Sequence, residues 1–179
     1  MNYCSFCGET VSRKVPRGDN LPRYVCDSCD AVHYQNPKIV TGCIVQWEEK
    51  ILLCRRAIDP RYGLWTIPAG FMELGETIHE AAARETYEEA RAVAQIDELF
   101  AVYNIPHVSQ VYCIYRAHLE SPEYSPGEES LEVELFSEDE IPWELLAFQV
   151  VRESLIRYFE SLKTNDNRPY VDDIIRKRR

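Results

Sequence analysis

No part of the chain strings together the ~18 apolar residues that a membrane-crossing helix needs, so no transmembrane span is expected. The first ten residues, MNYCSFCGET, lack the basic and apolar regions of a secretory signal, and the expected location is cytoplasmic. Positive charge is in deficit: 20 Lys and Arg stand against 30 Asp and Glu, a formal charge of −10. Such a chain is a poor general binder of nucleic acid, which is held by neutralising its phosphates. Internal repeats and low-complexity tracts are also missing. What is present is ample apolar content, 45% of 179 residues, enough for one ordinary domain and a small appendage.

Seven cysteines in a chain without an export signal point to metal before disulfides. Four of them, Cys4, Cys7, Cys26 and Cys29, form the pattern C-x2-C-x18-C-x2-C. Two such pairs can close a tetrahedral Zn²⁺ shell, and four protein ligands leave no open position, which makes the site structural. The intervening residues are polar and hold two prolines, so this segment has little core and zinc would staple it. Gly8 follows the first pair, where a tight knuckle suits a residue without a side chain. A redox pair of CxxC motifs is the alternative. His33 is assigned a packing or surface role, and Cys43, Cys54 and Cys113, in apolar strand-like runs, are read as buried free thiols.

Asn36-Pro37 marks a boundary, giving a zinc ribbon over 1–36, a main domain over 37–163 and a polar tail over 164–179 expected to fray. The tail's final Arg176-Lys177-Arg178-Arg179 is read as surface charge. In the main domain, β-branched runs predict strands at 38–47 and 51–56, paired as a hairpin. Further strands are predicted at 64–67, 96–103, 108–119 and 130–136, with a helix over 148–162. The strand at 108–119 is apolar on both faces and is therefore central.

Residues 70–92, GFMELGETIHEAAARETYEEARA, carry Glu73, Glu76, Glu80, Glu85, Glu88 and Glu89 with Arg84 and no lysine. Glu85, Glu88 and Glu89 fall at i, i+3 and i+4, so a helix places them on one face, where they repel. A hard divalent cation converts that repulsion into binding, since Mg²⁺ takes carboxylate oxygens together with substrate phosphate. Thr77 and Glu80 form a capping box that starts the helix. Ala82, Ala83, Thr86, Ala90 and Val93 make a small-residue face for docking on a sheet, and Arg84 lies one turn before Glu88, placed to hold it. Arg55, Arg56 and Arg61 precede this stretch and suit phosphate binding.

The stretch resembles the Nudix box, G-x5-E-x7-R-E-U-x-E-E-x-G-U with U apolar. Gly70, Glu76, Arg84, Glu85, Glu88 and Glu89 match it, while Thr86 and Arg91 depart from an apolar residue and a glycine. The resemblance implies an α+β fold, a Nudix-type α/β/α sandwich with a mixed sheet, here preceded by the small Cys₄ zinc ribbon. It implies hydrolysis of a nucleoside diphosphate linked to another group, with Mg²⁺ or Mn²⁺ held by Glu85, Glu88, Glu89 and the Gly70 carbonyl, and with Arg84 orienting them. For the proton acceptor it leaves Glu88, Glu89, Glu128, Glu129 and Glu132 open, Glu132 matching a metal or base glutamate of some members.

A Cys₄ ribbon before such a domain resembles the branch that cleaves dinucleotides and nucleotide sugars. RYGLWTIPAGFMELGET and IPHVSQVY resemble members acting on ADP-ribose and FAD, whereas the SQPWPFP-like signature of NADH pyrophosphatases is absent. Arg55, Arg56, Arg61 and His107 are the candidate substrate contacts, with Tyr62, Trp65 and Phe71 as stacking or core residues. A small-molecule nucleoside diphosphate derivative is then the expected partner, nucleic acid is disfavoured, and a homodimer follows the family's tendency. An NADH pyrophosphatase, an enzyme that cleans nucleoside triphosphates or decaps RNA, and a non-catalytic ligand-sensing module remain the alternatives.

Overall fold

A computed structural model describes residues 1–164 and 168–175. The chain divides into two compact units, Met1–Pro37 and the residues from Lys38 onward. The first unit is an antiparallel sheet of β1 (Val11–Lys14), β2 (Arg23–Cys26) and β3 (Val32–His33), in that order. Its buried apolar residues are Cys4, Val25 and Cys26, too few to hold a fold by burial alone. Gly8 has φ +78°, the left-handed turn that a knuckle after Cys7 requires.

The second unit contains β4 (Lys38–Trp47), β5 (Lys50–Arg56), β6 (Trp65–Thr66), β7 (Ala69–Phe71), α1 (Ile78–Ala90) and β8 (Ala94–Ile105). It continues with β9 (Gln110–Leu119), β10 (Ser130–Phe136), α2 (Gln149–Thr164) and β11 (Tyr170–Asp173). The sheet order is β10-β5-β4-β9-β8-β11, with β4–β9 and β8–β11 parallel, so the sheet is mixed and β9 is internal as its two apolar faces required. Alternate residues of each strand face opposite layers. Ile44, Leu53 and Ile114 pack with Val151, Leu155, Tyr158 and Phe159 of α2. Cys43, Val45, Cys54 and Ala117 pack with Ala82 and Ala90 of α1. One helix on each face makes the α/β/α sandwich, and Cys43, Cys54 and Cys113 are buried free thiols as expected.

The β4–β5 hairpin is paired only at its turn, Gln46 with Ile51 and Trp47 with Lys50. Beyond it the strands part, β7 joining β4 and β6 joining β5. Gly42 permits this: a Cβ there would run into the Pro68 carbonyl and the Ala69 side chain. The wedge brings Ala69 and Gly70 beside α1, and so builds the site.

α1 begins at its capping box, with Thr77 Oγ1 accepting from the Glu80 N–H (3.2 Å) and Glu80 accepting from the Thr77 N–H (2.8 Å). At its other end Arg91 adopts the left-handed conformation, φ 48°, in which its N–H donates to the Tyr87 carbonyl. The buried face differs in two positions from the projection: Ala81 is buried and Val93, past the helix end, is 53% exposed. Leu162 of α2 is also exposed, at 51%.

The strand expected to end at 103 runs to Ile105, and Pro106–Val108 form a 3-10 turn before β9. The expected frayed tail is corrected. Tyr170–Asp173 pair with Ala101–Asn104, Ile174 is buried, its N–H donates to the Asn104 carbonyl (2.8 Å), and Asn104 Nδ2 donates to Asp173 (2.9 Å). A single apolar anchor in a polar segment, with backbone pairing, outweighs the composition. Arg176, Lys177, Arg178 and Arg179 lie outside the described residues. Replacing Ile174 with Ala is expected to cost about 2 kcal/mol of stability, read from urea unfolding of the full chain; an unchanged midpoint would show that the strand is not anchored.

Candidate functional site

Arg84 is the hub of the carboxylate cluster. Its Nε and Nη2 donate to the two oxygens of Glu76 (3.1 and 2.8 Å), and Nη2 also donates to the Phe71 carbonyl (3.0 Å). Its Nη1 donates to Glu85 and to Glu88, each at 2.8 Å. The planar fork thus joins the loop before α1 to two carboxylates on α1. Spacing suggested the Arg84–Glu88 contact and the family resemblance implied that Arg84 orients all three glutamates; it holds Glu85 and Glu88, while Glu89 is held by the Ala69 N–H. The anchoring role of Glu76 was missed, although its fixed spacing from Arg84 was the available signal.

Glu85 is half-buried and Glu89 is 5% exposed. Burial pushes the Glu85 carboxyl up in spite of Arg84. Burial also pushes Glu89 up to about 8, against the pull of the Ala69 N–H, which donates to its Oε2 at 3.1 Å; Glu85 and Glu129 add negative charge. Among the described residues no Lys or Arg pairs with Glu89, and buried Arg56 acts on it only at longer range. A buried carboxylate without a cationic side chain, beside a second one, is a donor set that fits a divalent ion. Gly70 fits it too, since a Cβ there would overlap the Glu85 carboxylate.

The three glutamates do not converge. Among the described residues, the one group of three or more His, Cys, Asp or Glu with ligand atoms at sharing distance is the cysteine cluster. Glu85 and Glu88 lean on Arg84 while Glu89 turns inward to Ala69.

The loop ahead of β10 is fastened to the same end of α1. The N–H groups of Ser125 and Gly127 donate to the carbonyls of Ala90 and Glu89, each at 2.9 Å. Gly127 is needed for this approach, since a Cβ would collide with the Glu88 carbonyl. Its signal in the sequence is the Pro126-Gly127 pair. The loop brings Glu129 close enough for its negative charge to oppose deprotonation of both Glu85 and Glu89, a smaller effect than their burial.

The remaining candidates are dispersed. Glu132 on β10 lies opposite Arg55 on β5 and accepts from its Nη1 (3.0 Å), while Arg55 Nε donates to the Gly63 carbonyl (3.0 Å). Arg56 is buried, donating to the Pro60 carbonyl (3.0 Å) with its guanidinium over the Phe148 ring. Arg61, at φ 71°, and His107, in the 3-10 turn, are exposed.

In the first unit the four sulfurs of Cys4, Cys7, Cys26 and Cys29 lie within 4.8 Å of one another. The N–H groups of Ser28 and Cys29 point at Cys26 Sγ, each at 3.4 Å, and the latter leads in pulling that thiol down to about 7. A converged sulfur set with a thiolate favoured by backbone donors fits a tetrahedral zinc ion. His33 is buried and its Nε2 lies 3.3 Å from Cys4 Sγ, a packing role outside the four-sulfur shell.

Residues 2–35 match the zinc-ribbon family described as Nudix N-terminal, and residues 36–159 match the NUDIX domain. The crystal structure of a NUDIX hydrolase from Nitrosomonas europaea is 52% identical with a TM-score of 0.94, over 97% of this chain and 99% of that one. An ADP-ribose pyrophosphatase from Methanocaldococcus jannaschii is 28% identical over 141 residues, 75% of this chain and 78% of that protein. An NAD-capped RNA hydrolase from Photobacterium profundum is 31% identical over 135 residues, 73% of this chain but 47% of that protein, so the chain spans under half of that relative's length.

Two outcomes test the geometry. In metal-free protein at neutral pH, Glu89→Gln is expected to raise stability by about 1–3 kcal/mol, because burial forces the Glu89 carboxyl to take up a proton on folding and an amide does not; the gain fades as the pH falls into the ordinary carboxyl range, calorimetry in chelator reads it, and a less stable variant would show that the carboxyl is compensated. Cys26→Ser is expected to lose bound zinc and expose the first unit to protease, leaving the second intact; retention of one zinc per chain would refute the four-sulfur site.

Proposed function

This chain belongs to the Nudix hydrolase family, a pyrophosphatase of phosphoric anhydride bonds, and on that footing we propose that it cleaves the diphosphate of ADP-ribose, FAD or a related dinucleotide or nucleotide sugar with Mg²⁺ or Mn²⁺. The observation that carries the proposal is the double duty of Arg84, whose fork is clamped by Glu76 while one nitrogen steadies both Glu85 and Glu88. Glu85, Glu88, Glu89 and the Gly70 carbonyl would hold the catalytic divalent ion. When bound, that ion neutralises the diphosphate and acidifies a water. The chain itself supplies positioning and charge, which is most of what phosphoryl transfer asks of a protein.

Arg84 fixes Glu85 and Glu88, so ion binding asks mainly that Glu89 turn from the Ala69 N–H toward them. Arg56, buried and near enough for its charge to act on Glu89, suits the substrate's phosphates, and Arg55, Arg61 and His107 are further contacts. For the water's proton, Glu129 and the box glutamates Glu88 and Glu89 suit better than Glu132, which Arg55 engages. Zinc in the ribbon is structural. The relative that acts on ADP-ribose supports the choice of substrate class; the NAD-capped RNA hydrolase keeps an NAD-type diphosphate as the second reading.

Incubation with Mg²⁺ is expected to release AMP from ADP-ribose and FAD, and chromatography of a panel that adds NADH, nucleotide sugars and nucleoside triphosphates ranks the substrates. No turnover anywhere on the panel would sink the proposal. Glu88→Gln is expected to lower kcat by about 10²–10³-fold. Arg84→Lys keeps the charge and loses the fork, and is expected to raise the Mg²⁺ concentration needed for half-activity by about 10–100-fold. A variant with normal metal dependence would remove Arg84 from the positioning role.

A further inference from the structure

The antiparallel pairing of β10 with β5 slips at Leu131. Ser130 lies opposite Arg56, but Glu132, and not Leu131, lies opposite Arg55. A bulge of this kind re-aims a side chain, and here it sets a carboxylate on the same face as the Arg55 guanidinium. A regular ladder would have put Leu131 in that place. Glu132 accepts from Arg55 Nη1 at 3.0 Å. On the other side Arg55 lies opposite buried Trp65 of β6, and its Nε donates to the Gly63 carbonyl at 3.0 Å.

Those two bonds fix the plane of the fork. Nη2 has no acceptor among the described residues, and the side chain is 39% exposed. The loop that supplies the Gly63 carbonyl is itself fastened to β5. Its Gly63 N–H donates to the Arg56 carbonyl (2.8 Å), the Arg56 N–H donates to the Leu64 carbonyl (2.9 Å), and Arg56 Nε donates to the Pro60 carbonyl (3.0 Å). The loop starts at Ala57, whose N–H donates to the Glu129 carbonyl (2.8 Å). Arg56 and Glu129 both act on Glu89, so the Arg55 fork is one residue along the strand from the carboxylate site. It does not belong to that site. The charges that act most on Glu85 and Glu89 include those of Arg84, Arg56, Glu88 and Glu129, and neither Arg55 nor Glu132 is among them.

We propose that Glu132 is a positioning residue for the substrate: with the Gly63 carbonyl it holds Arg55 so that Nη2 meets an oxygen of the substrate's diphosphate. The inference rests on the hydrolase reading above, and it gives Glu132 a different role from the metal or base glutamate of the family resemblance. A guanidinium already held by two protein acceptors has little rotamer freedom left to lose when it meets a phosphate. A general base keeps an oxygen within reach of the attacking water, whereas Glu132 commits Oε1 to an arginine across the strand pair. An ordinary surface ion pair of this exposure contributes little to stability and has no need of a bulge to form.

Steady-state kinetics of the full chain with ADP-ribose and Mg²⁺ test the assignment. Glu132→Ala is expected to raise KM about 10-fold, the effect of one charge-assisted hydrogen bond, with kcat within about twofold. Glu132→Gln keeps an oxygen for Arg55 and is expected to hold KM within about threefold of wild type. Arg55→Ala and the double variant Arg55→Ala/Glu132→Ala are expected to share one KM, since the carboxylate acts through the guanidinium. A kcat loss of about 10²-fold in Glu132→Gln would make Glu132 the base and overturn the proposal. So would an unchanged KM in Glu132→Ala, single effects that add in the double variant, or a shifted Mg²⁺ requirement in Glu132→Ala. Calorimetric titration with the non-cleavable α,β-methylene analogue of ADP-ribose reads the same contact without turnover, and Glu132→Ala is expected to bind it about 10-fold more weakly. A wild type that binds the analogue and cleaves nothing refutes the hydrolase reading, and the variant's affinity then decides the positioning role. A wild type that does not bind the analogue overturns that role.

Discussion

One guanidinium organises the catalytic unit. Arg84 carries five donors in a rigid plane, and the structure uses them on Glu76, Glu85, Glu88 and the Phe71 carbonyl. Without it, three α1 carboxylates and the acidic loop before the helix would repel one another in a domain already short of cations. With it, the loop's conformation, the helix's position and the spacing of the ligand candidates become a single constraint. The energetic worth of such a network lies less in any one exposed pair than in fixing geometry, since exposed ion pairs contribute little individually.

The fold exists to bring three separate pieces to that cluster. The parting of β4 and β5 around β6 and β7 delivers the Ala69 N–H and the Gly70 backbone. The capping box sets the start of α1, and hence the angular positions of Glu85, Glu88 and Glu89. The loop before β10 clips to the end of the helix through Gly127 and brings Glu129. The glycines at 42, 70 and 127 share one function, each allowing a close approach that a methyl group would block.

Local chemistry was legible in the sequence and long-range packing was not. The CxxC spacing, the Thr77–Glu80 box and the strand alternation announce themselves within a few residues, and the structure places the four sulfurs together, the cap at Thr77 and β9 inside the sheet. Glu76, Gly127 and β11 escaped because their meaning depends on a partner elsewhere: a fork eight residues on, a helix end, an open strand edge. Composition misled most at 170–174, where polarity suggested fraying but Ile174 supplies an anchor. The same averaging hid that residues 1–37 are formally neutral and that the whole charge of −10 falls on the rest of the chain. Arg91 shows the opposite relation: the residue expected to be glycine adopts the left-handed conformation anyway, so the cap geometry survives the loss of the usual residue.

The pairing of β11 with β8 also imposes an order of events during synthesis. Every candidate catalytic residue precedes Phe136, so the chain can gather the site while it is still being made. The outer edge of β8, by contrast, stays open until Tyr170–Asp173 and Ile174 have emerged. For that interval the stretch Ala101–Asn104 of β8 presents unpaired backbone groups, the kind of surface on which nascent chains stick to one another. Translation therefore finishes the chemistry before it finishes the protection, and the hazardous step for this protein in a crowded cell is the closing of its last strand.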